Sequence, residues 1–265
     1  MTQTKSILIT GASRGFGRLW AEAAVSRGHN VIAAVRDTQT VADLSERHGK
    51  KFLALQHDVT DRENAFRVVQ SAEDRFEKID VLINNAGYCL AGALEEVSER
   101  DARAMFDTNL FGALWMSQAL LPVMRRQKSG HIITVSSVSG LMGQPTISMY
   151  NTSKWALEGM MESLHQEVTD LGISVTIVEP TIFATEFKSA ASLRLSNPIG
   201  AYDAARAKLR ASLANEPVND PRSSVEPIMD LIDASAPPLR LLLGDTGLHW
   251  AVKSYGEKLA GWAAH

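Results

Sequence analysis

Seven short runs of β-prone residues punctuate this chain, and most are apolar at every position rather than at every second one. They are SILIT (6–10), VIAAV (31–35), FLAL (52–55), VLIN (81–84), HIITVS (131–136), ISVTIV (173–178) and RLLLG (240–244). A strand with one wet face alternates; a continuously apolar strand is buried on both faces, as in a parallel sheet covered by helices. Helical patterns fill the gaps. Phe16, Leu19, Trp20, Ala23 and Ala24 form one apolar stripe that ends at Arg27-Gly28, a cation followed by a glycine, and Ala65, Val68, Val69, Ala72 and Phe76 form another. This alternation predicts an α/β fold, a doubly wound parallel sheet of about seven strands flanked by helices. No repeat, low-complexity tract or linker divides the 265 residues, so one domain is expected over 1–265.

One region departs from the alternation. Residues 181–237 show no strand-like run, contain Pro198, Pro217 and Pro221, and include a charged helical stretch, AYDAARAKLRASLA. A long excursion inside a compact domain reads as a lid or binding segment or as a disordered stretch, with plain helical decoration as the alternative. A C-terminal helix is expected over 247–264, where Leu248, Val252, Tyr255, Leu259 and Trp262 keep helical spacing. Its polar face holds only two lysines, so this stripe is expected to dock on the domain or on a partner subunit rather than on a membrane.

The first strand runs into Thr10-Gly11-Ala12-Ser13-Arg14-Gly15-Phe16-Gly17. Glycines between a strand and a helix allow a tight turn and close approach of backbone to phosphate, and the helix N-terminus favours an anion. Gly11 is expected to make the turn, and Gly15 and Gly17 to clear space for pyrophosphate and for packing. Tyr150 and Lys154 stand four residues apart and share one helix face. A phenol has a reference pKa of about 10. A lysine ammonium one turn away favours the phenolate and draws that value toward neutrality, so the pair can serve as proton donor and acceptor in carbonyl–alcohol chemistry.

Together these motifs resemble the short-chain dehydrogenase/reductase family, and the VRDT stretch after the second strand with the long segment after Thr185 resembles its branch that includes hydroxysteroid and retinol dehydrogenases. TGASRGFG is similar to the family's TGxxxGxG cofactor motif. Asp58-Val59 follows the third strand, where the family's aspartate contacts adenine. Asn84-Asn85-Ala86-Gly87 matches NNAG, Asn109 in DTNLFG matches the helix asparagine, Ser137 lies thirteen residues before Tyr150, and Tyr150 with Lys154 matches YxxxK. The motifs run in family order from residue 10 to about 185.

The resemblance implies a single-domain Rossmann fold and a nicotinamide-dependent oxidoreductase acting on CH–OH and C=O groups. It implies a catalytic set of Asn109, Ser137, Tyr150 and Lys154. Tyr150 would exchange the proton with the substrate oxygen. Lys154 would lower the tyrosine pKa and bind the nicotinamide ribose, Ser137 would hold the substrate oxygen, and Asn109 would order a water behind Lys154. Ser136 is the rival for the serine role; as the last strand residue it is expected to point into the sheet. Cofactor contacts are implied for Gly11, Ser13, Arg14, Gly15, Phe16, Gly17, Arg36, Asp58, Val59, Asn85, Ala86, Gly87, Tyr150, Lys154, Pro180, Ile182 and Thr185. Hydride comes from the nicotinamide, so no metal is required.

Relatives that prefer NAD carry an acid at the end of the second strand. Here Arg36 takes that place, Asp37 follows, and Arg14 adds a second cation, a pattern that suits the 2′-phosphate and predicts NADPH over NADH. After the sixth strand the family's Pro-Gly is replaced by Pro180-Thr181, which puts the local backbone in question if φ > 0 is needed there. Phe187, Leu193, Leu195, Ile199 and Tyr202, with Leu141, Met142, Ile147 and Met149, are expected to wall an apolar pocket for a bulky hydrophobic ketone or alcohol. A non-catalytic NADP-binding regulator on the same fold, or a structural subunit supporting an active partner, is the alternative.

A net charge of −3 argues against a nucleic-acid partner, and no apolar run approaches the roughly 18 residues of a membrane span. The single cysteine, Cys89, allows no internal disulfide and is expected to be a buried small hydrophobe. The glycine motif follows the N-terminus too closely for a signal peptide, so a cytoplasmic location is expected. A homodimer or homotetramer is expected, paired through helices near 98–127 and 151–171.

Overall fold

The computed structural model describes residues 3–185 and 192–264. From β1 (Ser6–Thr10) the glycine loop enters α1 (Gly15–Ser26), followed by β2 (Asn30–Val35), α2 (Ala42–His48), β3 (Phe52–Gln56), α3 (Arg62–Phe76) and β4 (Val81–Asn84). Next come β5 (Cys89–Ala91), α4 (Glu99–Phe106) and α5 (Gly112–Gln127), the two helices joined by a π-helical turn at Asp107–Phe111. The rest of the chain forms β6 (Gly130–Val135), α6 (Ser148–Val168), β7 (Ile173–Pro180), β8 (Leu193–Leu195), α7 (Asp203–Leu213), α8 (Val225–Asp233), β9 (Arg240–Leu243) and α9 (Gly247–Ala263).

One parallel sheet takes seven of these strands in the order β3-β2-β1-β4-β6-β7-β9. Each predicted run is a strand of this sheet, with ends within two residues of the expected ones. The continuous apolar runs are explained by the layers. Ile7 and Ile9 of β1 face Trp20, Ala24 and the α8 residues Ile228 and Ile232, whereas Leu8 faces α3, α5 and α6. Both faces are dry, and each fully buried Leu or Ile contributes roughly 1.5–3 kcal/mol. Strand order reverses between β1 and β4, so the loops at their C-terminal ends part and leave a crevice.

The segment after β7 differs from expectation in one respect. It does contain a strand: β8 pairs in parallel with β5, Cys89 opposite Leu193 and Ala91 opposite Leu195, as a separate two-stranded sheet at the crevice mouth. The segment also divides in function. Helix α7 buries none of its residues, whereas α8 is core: Ile228, Met229, Leu231 and Ile232 pack beneath α1, and the Trp20 indole N–H donates to Ser224 Oγ at 2.9 Å.

Helix α9 does dock on the domain, but through polar side chains rather than through the apolar stripe as expected. Lys258 Nζ and Ser254 Oγ both donate to the Leu141 carbonyl, at 2.7 and 3.1 Å. The stripe of Leu248, Val252, Tyr255, Leu259 and Trp262 instead faces outward, from 44% exposed at Tyr255 to 70% at Trp262.

Candidate active site

The glycine loop lies over the C-terminal end of β1. Gly11 and Gly15 have φ of +68° and +53°, the left-handed region a side chain resists. Gly17 is needed for a different reason: a Cβ there would lie 2.5 Å from both the Gly11 carbonyl oxygen and Asn85 Nδ2. That amide donates to the Thr10 and Gly11 carbonyls at 3.0 and 3.2 Å. In return Thr10 Oγ1 accepts from the backbone N–H groups of Asn85 and Ala86, at 3.0 and 3.1 Å. The loops after β1 and β4 are thus joined into one cradle, with the N-terminus of α1 and its positive dipole end at its centre. No acidic residue occupies the first turn of α1 to compete for an anion.

The cradle opens into a cavity of about 1090 Å³ that runs along the crevice. Gly11, Ser13, Arg14, Gly15, Phe16, Arg36, Asp58, Val59, Asn85, Ala86, Gly87, Ser137, Tyr150, Lys154, Pro180, Ile182 and Thr185 all line it. Two of the expected residues, Gly17 and Asn109, lie one layer behind. The size, the close backbone approach at Gly11 and Gly17, and the helix N-terminus fit a dinucleotide.

Arg36 is exposed at the end of β2, on the cavity wall. Asp37, the residue that could have favoured a ribose hydroxyl, accepts the Gln39 N–H at 3.0 Å and caps the turn at Thr38–Val41. Its carboxylate is therefore engaged with the backbone. Burial pulls the Asp58 carboxyl upward, but the Thr60 N–H and hydroxyl, with the Arg36 charge beyond them, hold it below the usual carboxylate value.

Tyr150 and Lys154 occupy successive turns of α6, both buried, beside Ser137 at the end of β6. Ser137 lies beside Tyr150 and opposes the burial that raises the phenol, and its Oγ donates to the Pro180 carbonyl at 3.5 Å. Ser137 Oγ also accepts the Ser139 N–H at 3.1 Å, which orients it. Ser136 also borders the cavity but is only 2% exposed; it follows β6 rather than ending it, and its Oγ sits against Gly140 and Glu158 of α6 instead of pointing into the sheet as expected. Lys154 Nζ donates to the Val135 carbonyl at 2.8 Å and lies 5.8 Å from the Tyr150 ring centre.

The electrostatics differ from the reading of the Tyr–Lys spacing. Burial raises the Tyr150 pKa above its usual value, with Cys89 adding to this and Ser137 opposing it. Burial likewise pulls Lys154 down to about 8, against the upward pull of Glu158 and Cys89. Desolvation of both groups outweighs the one-turn attraction that the sequence suggested. Cys89 is itself buried, its thiol pushed up to about 12 by burial, as an inert core residue would be.

Asn109 sits in the π-helical turn, 1% exposed. Its Nδ2 donates to the Tyr88 carbonyl and to Ser153 Oγ, at 2.9 and 3.1 Å, and its Oδ1 accepts the Tyr88 N–H at 3.0 Å. The side chain thus fixes the backbone that leaves the NNAG loop and ties it to α6.

Thr181 is accommodated without strain: the described non-glycine residues with positive φ are Glu77, Lys128 and Thr146. Its N–H donates to the Leu243 carbonyl at 2.9 Å, and its Oγ1 accepts from Asn219 Nδ2 at 3.2 Å. The space it takes is supplied across the sheet by Gly244, whose φ is +95°.

The wall of the cavity differs from the expected set. Ile147 lines it, while Leu195 and Ile199 are exposed and Leu141 faces a separate recess under α9. Phe187 lies outside the described residues. Tyr88, Val138, Phe183, Leu213 and Trp250 supply apolar wall instead. Arg194 stacks on Tyr88, its guanidinium 4.3 Å from the ring centre. Trp250 and Arg194 carry no motif in the sequence; β8 and α9 bring them to the cavity.

Comparison with known proteins agrees with this geometry. A family model described as short chain dehydrogenase matches residues 5–195. Oxidoreductase BOA17 of Botryotinia fuckeliana is 38% identical over 255 residues, which cover 95% of this chain and 93% of that protein. Human retinol dehydrogenase 8 is 34% identical, over 89% of this chain and 80% of that protein. The crystal structure of a short-chain dehydrogenase from Streptomyces avermitilis superposes with a TM-score of 0.90 at 35% identity, covering 100% of this chain and 97% of that one. The chain belongs to the short-chain dehydrogenase/reductase family, oxidoreductases that act on CH–OH and C=O groups with a nicotinamide cofactor.

Proposed function

We propose that this protein is an NADPH-preferring oxidoreductase that interconverts a bulky hydrophobic ketone and its alcohol, with Tyr150 as the proton donor and acceptor. The observation that carries the reading is the convergence of Ser137, Tyr150 and Lys154 at the wall of one cavity. When bound, the nicotinamide supplies the hydride. Ser137 holds the carbonyl oxygen beside the tyrosine. The phenol, kept protonated by its burial, gives its proton to that oxygen as negative charge develops. Lys154, also buried, stabilises the resulting phenolate by its charge. Asn109 acts one step back, by holding the loop that borders the site.

Preference for NADPH is supported by Arg36 on the cavity wall and by the engagement of Asp37 in a turn cap. A bulky apolar substrate is supported by Tyr88, Val138, Ile147, Leu213 and Trp250 around the open end, and by the similarity to a protein named as a retinol dehydrogenase. Residues 192–213 serve as the substrate lid. Tyr202 and Arg206 of that arm bind Glu95 and Glu96, at 2.5 and 2.6 Å. A cytoplasmic homo-oligomer paired through α4–α5 and α6 completes the proposal; among the described residues no helix is long and apolar enough to cross a membrane.

The test is consumption of NADPH and NADH by purified protein across ketones graded from small to steroid-sized, with the Tyr150→Phe rate subtracted. Tyrosine-dependent loss, faster with NADPH and with the bulkier ketones, is expected. Equal loss in Tyr150→Phe would refute the assignment of the proton donor.

A further inference from the structure

Next to Lys154, four charged residues gather in one cluster. Glu158 lies one turn after Lys154 on α6 and is 6% exposed; Glu179, at the end of β7, is 1% exposed. Arg240 on β9 reaches both, its Nη1 bridging Glu158 Oε2, at 2.6 Å, and Glu179 Oε1. Its Nη2 reaches the half-exposed Glu162. Two buried carboxyls thus compete for one guanidinium nitrogen, and a third carboxylate shares the same cation from the surface. If all ionised, the cluster would carry excess negative charge in a desolvated site, a costly state that protonation relieves.

The position of Glu158 links this cluster to the chemistry. Its other oxygen, Oε1, lies against Ser136 and Gly140 in the turn that carries Ser137, and a Cβ on Gly140 would sit 3.0 Å from it. Along the helix its neighbour is Lys154, for which it is the largest charge working against burial. The other groups that bear on Lys154 are the buried neutral Cys89 thiol on β5, Tyr150 on its own helix and the Asn109 amide beyond Gly87. None of these carries a negative charge near neutrality. Burial also lifts the Glu158 carboxyl, opposed by Ser136 and Arg240, and lifts Glu179 to about 7, aided by Glu158. A separate recess of about 220 Å³, lined by Glu179, Arg240, Leu141, Leu242, Ala251 and Tyr255, gives the pair a contact with solvent other than the main cavity.

We propose that Glu158 is a positioning residue that holds Lys154 charged, and that Glu158 and Glu179 share one proton between them under Arg240. The inference rests on the proton-transfer role given above to Tyr150 and Lys154. As pH rises and the shared proton leaves, negative charge grows next to Lys154 and supports its ammonium form. Glu158 thereby extends the working range of the Tyr150–Lys154 pair toward alkaline pH.

The test uses the isosteric Glu158→Gln, which retains an oxygen acceptor for Arg240, and reads two quantities. First, the melting temperature of cofactor-free protein is followed from pH 5 to pH 8. A carboxyl raised in the folded state adds stability below its unfolded pKa and loses it as pH rises through the folded pKa. The wild type should therefore fall behind Glu158→Gln by about 2–5 °C over this range, and Glu179→Gln should show the same trend. Second, the alkaline limb of the kcat/KM profile should move to lower pH by about one unit in Glu158→Gln. A melting difference that does not change with pH, or an alkaline limb that stays in place, overturns the proposal. A wild type inactive with every ketone would count against the parent reading, while the melting series still decides whether the proton is shared.

Discussion

Replacing Gly17 by alanine tests the cradle in a way that separates it from ordinary helix stability. Gly17 lies in the first turn of α1, where alanine is the better helix former by about 1 kcal/mol. On propensity alone Gly17→Ala should stabilise. The structure predicts the reverse. The new Cβ would sit 2.5 Å from the Gly11 carbonyl oxygen, which is backbone, and from Asn85 Nδ2, a side-chain end held by two hydrogen bonds. Relief requires the helix start to move off the loop, a strain of about 1–3 kcal/mol. It also loosens the two Asn85 bonds to the Thr10 and Gly11 carbonyls, about 1 kcal/mol each. The net loss is about 2–4 kcal/mol, or roughly 4–12 °C in melting temperature for a domain of this size. Gly15→Ala is the comparison. Its Cβ would meet nothing closer than Thr185 Cβ at 4.0 Å, so only the cost of φ +53° applies, about 1 kcal/mol. Differential scanning calorimetry on the two variants gives the order directly. A melting temperature for Gly17→Ala at or above the wild-type value would refute the reasoning.

Three further outcomes follow from the site. Arg36→Ala should raise the KM for NADPH about 5–30-fold and leave that for NADH within about twofold, the effect of removing one exposed, charge-assisted phosphate contact; equal changes for both cofactors would remove Arg36 as the reader. Asn109→Ala should lower the melting point by several degrees, because it strands the buried Tyr88 N–H and carbonyl, about 2–4 kcal/mol together; an unchanged thermogram would contradict the pinning role. Ser137→Ala should cut kcat by about 100-fold or more with little change in folding, whereas Ser136→Ala should cost far less turnover, and the opposite ranking in steady-state assays would reassign the serine.

Sequence carried the sheet because its strands are buried on both faces, so their apolar runs are unbroken and need no tertiary context to be seen. It carried the glycine cradle for a similar reason, since Gly11 and Gly15 answer to local backbone geometry, while the partner that makes Gly17 necessary, Asn85, comes from a distant loop. Contacts between distant positions were not legible. Strands β5 and β8 are three residues each, too short for any periodicity, and exist only because Cys89 and Leu193 meet across the cavity mouth. Glu158, Glu179 and Arg240 each look like ordinary surface charges until three elements of the sheet and helix layer bring them together. The Tyr–Lys spacing was visible, but the burial that raises Tyr150 and lowers Lys154 was not, because desolvation depends on what the rest of the chain places around them. The outward apolar stripe of α9 was legible as a stripe; which way it faces was decided by Ser254 and Lys258 at the Leu141 carbonyl.

The most direct test of the central claim is to follow the two hydrogens separately during reduction of a bulky ketone. With NADPH deuterated at the transferring nicotinamide position, the alcohol should carry one deuterium at its carbinol carbon, and Tyr150→Phe should lose most of this turnover while still binding NADPH. Product without deuterium at that carbon, or full turnover in Tyr150→Phe, would contradict the account.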